Sequence, residues 1–221
     1  TAEGVDRFMI TGHSQGNPHA MAAAFHFGGR CVGLGLNAPL LPAPLSKEVG
    51  VKGAIGMDSL PRTESLKKPY MAWYFALFHL SLVTLAPWIP LKGMVAGRPN
   101  IAADGALMRR MRESVTRGVV RGSVGSTWET AGDVCYEWGF DPRLIETNNV
   151  CVWHAADDNL CPPEIGQWLA EMFRTKEGVR VDFRADDLGF GHFTYVRGEF
   201  AEAETSMIKA LLDGLPPGDS A

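Results

Sequence analysis

"FMITGHSQGNPHAMAAAF", residues 8–25, decides the fold. Residues 8–11 are a short apolar run of the kind that forms a buried strand. "NPHAMAAAFHF" reads as an alanine-rich helix, ended by Gly28 and Gly29. Between them lies Gly-His-Ser-Gln-Gly, so strand passes to helix through five residues. Gly12 and Gly16 are small enough to let such a turn fold tightly, and the turn holds the Ser14 hydroxyl clear of the sheet. The Gln15 amide then lies at the helix start, aimed where negative charge would develop on a reacting oxygen. The competing reading is a glycine-rich turn with a helix-capping serine.

Working outward, "CVGLGLNAPL" reads as a second buried strand, giving a strand–helix–strand crossover and hence a parallel sheet. "NVCVWHA" and "VRVDFRA" supply two more strands, separated by the helix "PPEIGQWLAEMFRT" with prolines at its start. "EFAEAETSMIKALLDGL" reads as a terminal helix. Residues 45–64 look irregular. Residues 65–140 carry proline-broken helical patterns without a clear strand, as an inserted helical cap would. The chain thus divides into a core, 1–64 and 141–221, and a cap, 65–140.

A serine nucleophile needs a base, and the base needs an orienting acid. Asp157 and Asp158 follow the third strand in "HAADDNLCP", and His192 follows the fourth in "DDLGFGHF". Both loops fall at the carboxyl edge of a parallel sheet, the edge that Ser14 occupies. At this level either aspartate fits. His13 is read as packing within the turn, His19 and His26 as helix surface, and His154 as satisfying loop backbone groups. No histidine and carboxylate spacing suits a metal, and no cofactor is expected.

These three segments together resemble the α/β-hydrolase family over nearly the whole chain, most weakly in the cap. "FMITGHSQGNPHAMAAAF" is similar to its nucleophile elbow, "WGFDPRLIETNNVCVWHAADDNLCPP" to its acid loop and "GFGHF" to its histidine loop. The acid position relative to Ala155 and the Cys161-Pro162 pair falls on Asp158. The resemblance implies a catalytic triad of Ser14, Asp158 and His192, with the Gln15 N–H in the oxyanion hole. It also implies a serine esterase that cleaves a small acyl substrate through an acyl-enzyme, and that substrate is apolar if the aromatic stretch 70–88 lines the pocket. An acyltransferase would use the same residues.

In that family the strand before the serine is the fifth of eight. The chain is therefore expected to hold strands five to eight only, the C-terminal part of the sheet, and to lack the N-terminal half. Strand 8–11 would then need a neighbour on each side. That leads to three alternatives: a partial sequence, a piece completed by another chain, or a shortened non-catalytic subunit used for interaction.

Bulk properties bound the rest. The chain has 221 residues and a net charge of -4, with no basic patch, so nucleic acid is an unsuitable partner. Its four cysteines form no CxxC pair and fit a reducing, cytoplasmic setting. No signal-peptide pattern opens it. The apolar stretch 70–91 reads mainly as a buried or pocket-covering helix, because Pro87 and Pro90 break it, with membrane-surface contact the alternative. Arg109, Arg110, Arg112, Arg117 and Arg121 read as a solvated face.

Overall fold

The structure, a computed structural model, describes residues 4–53, 95, 98–118, 120, 137–197, 200 and 205–216. The stretch 70–91, Cys135 and Arg121 lie outside these residues.

Four strands form one parallel sheet: β1 (Phe8–His13), β2 (Cys31–Asn37), β3 (Asn149–Trp153) and β4 (Arg180–Arg184), in the order β1-β2-β3-β4. All four lie where the apolar runs put them. β3 is buried along its whole length, as expected of a parallel strand covered on both faces. Among the described residues β1 pairs with β2 alone, so it forms an edge and not the centre of the sheet.

Strand alternation sorts the side chains onto two faces. Leu34, Leu36, Val150 and Val152 pack with α1 (Gly16–Phe27) and with α5 (Pro163–Arg174), through Met21, Ala24, Ile165, Leu169 and Phe173. On the opposite face Cys151 and Trp153 pack with Met207, Ala210 and Leu211 of α6 (Met207–Asp213). The glycines of β2 face that helix. An added Cβ at Gly35 would lie 2.5 Å from the Met207 sulfur, and one at Gly33 would lie 2.9 Å from the Met9 side chain. Small residues there let α6 close on the sheet.

One of the remaining helices departs from the sequence expectations. A short helix, α2 (Ala43–Glu48), runs into the segment read as irregular. Pro42 and Pro44 flank its first residue, where a fixed φ and a missing N–H cost the helix nothing. Within the segment read as a cap are α3 (Pro99–Ala103) and α4 (Gly105–Gly118). α4 is strongly amphipathic, and its Arg109, Arg110, Arg112 and Arg117 are exposed. In the segment read as a terminal helix, α6 starts at Met207, where the Ser206 hydroxyl accepts from Lys209 N.

The strand-to-helix turn is tight because Gly12 lies under the start of α1. A Cβ at Gly12 would meet Gly16 O at 2.6 Å and Asn17 Cα at 2.8 Å, both backbone atoms with nowhere to go. A Cβ at Gly16 would meet nothing within 4 Å, so the expected need for a small residue there does not hold. Gly12→Ala is expected to lower the unfolding free energy by about 2–3 kcal/mol in urea titrations, whereas Gly16→Ala should change it by less than about 1 kcal/mol.

Candidate active site

Ser14 sits between β1 and α1 with φ 54°, in the left-handed region that a non-glycine residue enters at a cost. A set of hydrogen bonds holds it there. Ser14 N donates to Asn37 O at 3.0 Å, and Asn17 N donates to Ser14 O at 3.0 Å. The buried Asn17 Nδ2 donates to both Ser14 O (2.7 Å) and Asn37 O (2.9 Å). One amide side chain therefore ties the serine turn to the end of β2. Gln15 is the N-cap residue of α1, which leaves its N–H at the helix start.

Asp158 and His192 arrive from β3 and β4. Asp158 Oδ1 accepts from Leu160 N at 2.8 Å and Cys161 N at 3.0 Å, which fixes the carboxylate in its loop. Its Oδ2 lies 2.8 Å from His192 Nδ1. A carboxylate accepts, so Nδ1 carries the hydrogen and Nε2 keeps its lone pair. Burial opposes the charged form of Asp158. The hydrogen bonds from His154 and His192, the adjacent His192 charge and Cys161 N outweigh it, so the carboxyl titrates well below the usual carboxylate range.

The histidine loop is braced twice. Tyr195 Oη accepts from Asp186 N at 2.8 Å and donates to Asp186 Oδ2 at 3.0 Å. Asp157, the neighbour of the acid, accepts from Gly191 N at 3.0 Å and pairs with the Arg98 guanidinium, which also donates to Asp157 O. Gly191, with φ 49°, has no room for a Cβ because Arg98 lies over it: a Cβ would be 2.7 Å from Nη2. Asp157 and Asp158 thus have separate tasks. One faces Arg98, the other faces His192.

The sequence-predicted residues meet unequally. Asp158 and His192 are hydrogen-bonded. Among the described residues no hydrogen bond joins the Ser14 hydroxyl to His192. The β1 end and the histidine loop meet instead through His13, whose ring centroid is 4.9 Å from that of His192. The sequence places His13 within its own turn; the ring in fact reaches across to the histidine loop. His154 does satisfy a backbone group, Cys161 O at 2.8 Å, but its Nε2 is also 3.3 Å from Asp158 Oδ2. Sequence reasoning missed Arg98 entirely. It lies 59 residues before Asp157 with no local pattern to mark it. A cleft of about 440 Å³ bordered by Pro42, Leu45, Trp138 and Phe140 shares no residue with this cluster. Among the described residues no helix is long and apolar enough to cross a membrane.

The protein-family models and the curated proteins contain no match to this chain. Solved structures do. MGS-M2, an α/β-hydrolase enzyme from a Medee basin deep-sea metagenome library, matches with TM-score 0.50 and 14% identity, over 96% of this chain and 67% of that one. A hydrolase from Oleispira antarctica matches with TM-score 0.47 and 22% identity, over 87% of this chain and 62% of that one. The chain spans roughly two thirds of the length of these structures.

The likeness to MGS-M2 gives the fold, that of the α/β-hydrolase enzymes. It also corrects two expectations, that the chain lacks its N-terminal half and that it holds only strands five to eight of a larger sheet. The match takes in 96% of this chain and two thirds of MGS-M2, not half. The physical reason lies in the packing. The four strands are sequential neighbours, and each face of the sheet carries a packed core.

Two measurements test the site's packing. The Arg98 and Asp157 side chains are each only 14% exposed. Arg98→Met leaves a largely desolvated carboxylate with Gly191 N as its remaining donor. It is expected to lower the unfolding free energy by about 2–3 kcal/mol, and Arg98→Lys by less. The second concerns pH. Burial, reinforced by His192, pushes the His13 imidazole down from 6.5 to about 3. The folded protein keeps His13 neutral while the unfolded chain protonates it. This contribution is therefore whole above pH 6.5 and is lost as pH falls toward 3. Urea midpoints should drop between about pH 7 and pH 4, and His13→Leu should flatten part of that drop.

Proposed function

We propose that the protein is a serine hydrolase that cleaves an apolar carboxylic ester or related acyl compound through an acyl-enzyme. The observation that carries this reading is the buried Asp158–His192 hydrogen bond at 2.8 Å, at the same sheet edge as a serine in a left-handed turn. Ser14 Oγ attacks the acyl carbon as His192 Nε2 takes its proton. Asp158 holds the imidazole in the tautomer that makes Nε2 the base, and it stabilises the imidazolium that forms. The Gln15 N–H donates to the developing oxyanion at the start of α1. His192 then passes its proton to the departing oxygen. A water activated by the same nitrogen releases the acid and frees Ser14.

The apolar character of the substrate is read from the segment beside the histidine loop. Ile101 of α3 and Leu107 of α4 pack with Phe193, and Met108, Met111, Leu160 and Phe190 border them. In this reading the cap runs over 65–140 and covers the acyl group. The test is labelling by a fluorophosphonate probe with hydrolysis of a p-nitrophenyl ester, in the natural full-length protein and its Ser14→Ala form. Labelling should vanish in the variant, and kcat should fall by about 10⁴-fold or more. Equal labelling of both proteins would sink the proposal.

A further inference from the structure

His154 is the one wholly buried histidine in this cluster, with 0% exposure. It follows β3 directly, and its own N–H donates to Arg184 O at 2.9 Å, which anchors it to β4. Its Nε2 lies 2.8 Å from Cys161 O and 3.3 Å from Asp158 Oδ2. A carbonyl can only accept, so Nε2 carries the hydrogen, donates it to Cys161 O and holds the N–H close to the Asp158 carboxylate. Among the described residues Nδ1 has no partner. The ring is seated against α5 at Gly166, where a Cβ would lie 2.6 Å from His154 Cβ and 2.7 Å from Nδ1. A glycine inside a helix costs about 0.5–1 kcal/mol relative to alanine. That opening, and a buried nitrogen left unpaired, are both disfavoured unless the ring has a task.

The task is visible at Asp158 Oδ2, which accepts from His192 Nδ1 and faces His154 Nε2. We propose that His154 is a positioning residue: it fixes the Asp158 carboxylate and, by drawing on the same oxygen, sets how strongly Asp158 holds the His192 hydrogen. A donor on Oδ2 withdraws negative charge that His192 would otherwise see. His192 is then a weaker base than it would be beside a carboxylate with one histidine partner. Among the described residues, the other groups that face His192 are His13 from the end of β1, Asp158 itself, and the Arg98–Asp157 pair that reaches Gly191. Among the described residues that could act on His192 through Oδ2, His154 is the one seated on that oxygen.

The catalytic consequence rests on the hydrolase reading, so the experiment uses one readout that needs no activity. The full chain is compared with His154→Leu, which removes the donor, and His154→Gln, which keeps an N–H at similar reach. NMR titration follows the His192 ring, and the acid limb of kcat/KM follows the free enzyme. In His154→Leu the His192 midpoint should rise by about 0.5 or more in pH, and kcat should fall about tenfold with KM little changed. His154→Gln should return both close to the starting protein. A merely structural histidine would lower Tm in both variants and leave the His192 midpoint in place, and that result overturns the proposal. Equal shifts in the two variants overturn it as well. If the leucine protein does not fold, His154→Met against His154→Gln decides by the same comparison. Failure of the hydrolase reading has a separate signature: the starting protein takes no fluorophosphonate label while the His192 midpoint still follows residue 154.

Discussion

Strands that run in one direction end at one edge. That constraint governs the molecule, because the serine, the acid and the histidine of the candidate site all lie beyond the carboxyl ends of strands. Ser14 follows β1, Asn37 closes β2, His154 and Asp158 follow β3, and His192 follows β4. Residues far apart in the chain become neighbours without any long-range device beyond the sheet itself. The helices on both faces then lock the strand order, and the loops inherit its precision. The Asp158–His192 contact is rigid because Asp158 Oδ1 is held by two backbone N–H groups and the histidine loop is braced by Tyr195 and Asp157.

Much of this is legible in the sequence, for a physical reason. A strand buried on both faces must be apolar along its length, so "NVCVWHA" declares itself with no partner in view. The serine turn is also local, since its glycines, strand and helix are contiguous in the chain. Other features depend on contacts that no local window contains. Gly12 and Gly16 look equivalent in the pentapeptide, but only Gly12 lies beneath the helix start. Asp157 and Asp158 are adjacent carboxylates, separable only by what each faces across space. Arg98 gives no sign of its pairing, because its partner belongs to another loop. The extent of the fold escapes the sequence for a related reason. Counting strands against a larger sheet says nothing of how well four strands can cover one another.

Electrostatically the site is simple. Asp158 is a buried carboxylate set among three imidazoles. His192 and His154 face it directly, and the His13 ring lies tilted against His192. The nearby guanidinium of Arg98 is turned to Asp157. The imidazoles support the anion through hydrogen bonds. A fixed cation against Asp158 would have quenched the charge that steadies the imidazolium.

The left-handed serine carries a wider consequence. Glycine adopts φ 54° without steric penalty, and the backbone bonds that hold this turn involve only the N–H and C=O of residue 14. Nothing in these bonds therefore asks for a side chain there. A lineage kept only for its fold would drift toward glycine at this position, gaining stability as it lost the hydroxyl. The identity of residue 14 across related chains would thus record which of the two pressures, persistence or chemistry, has acted on them.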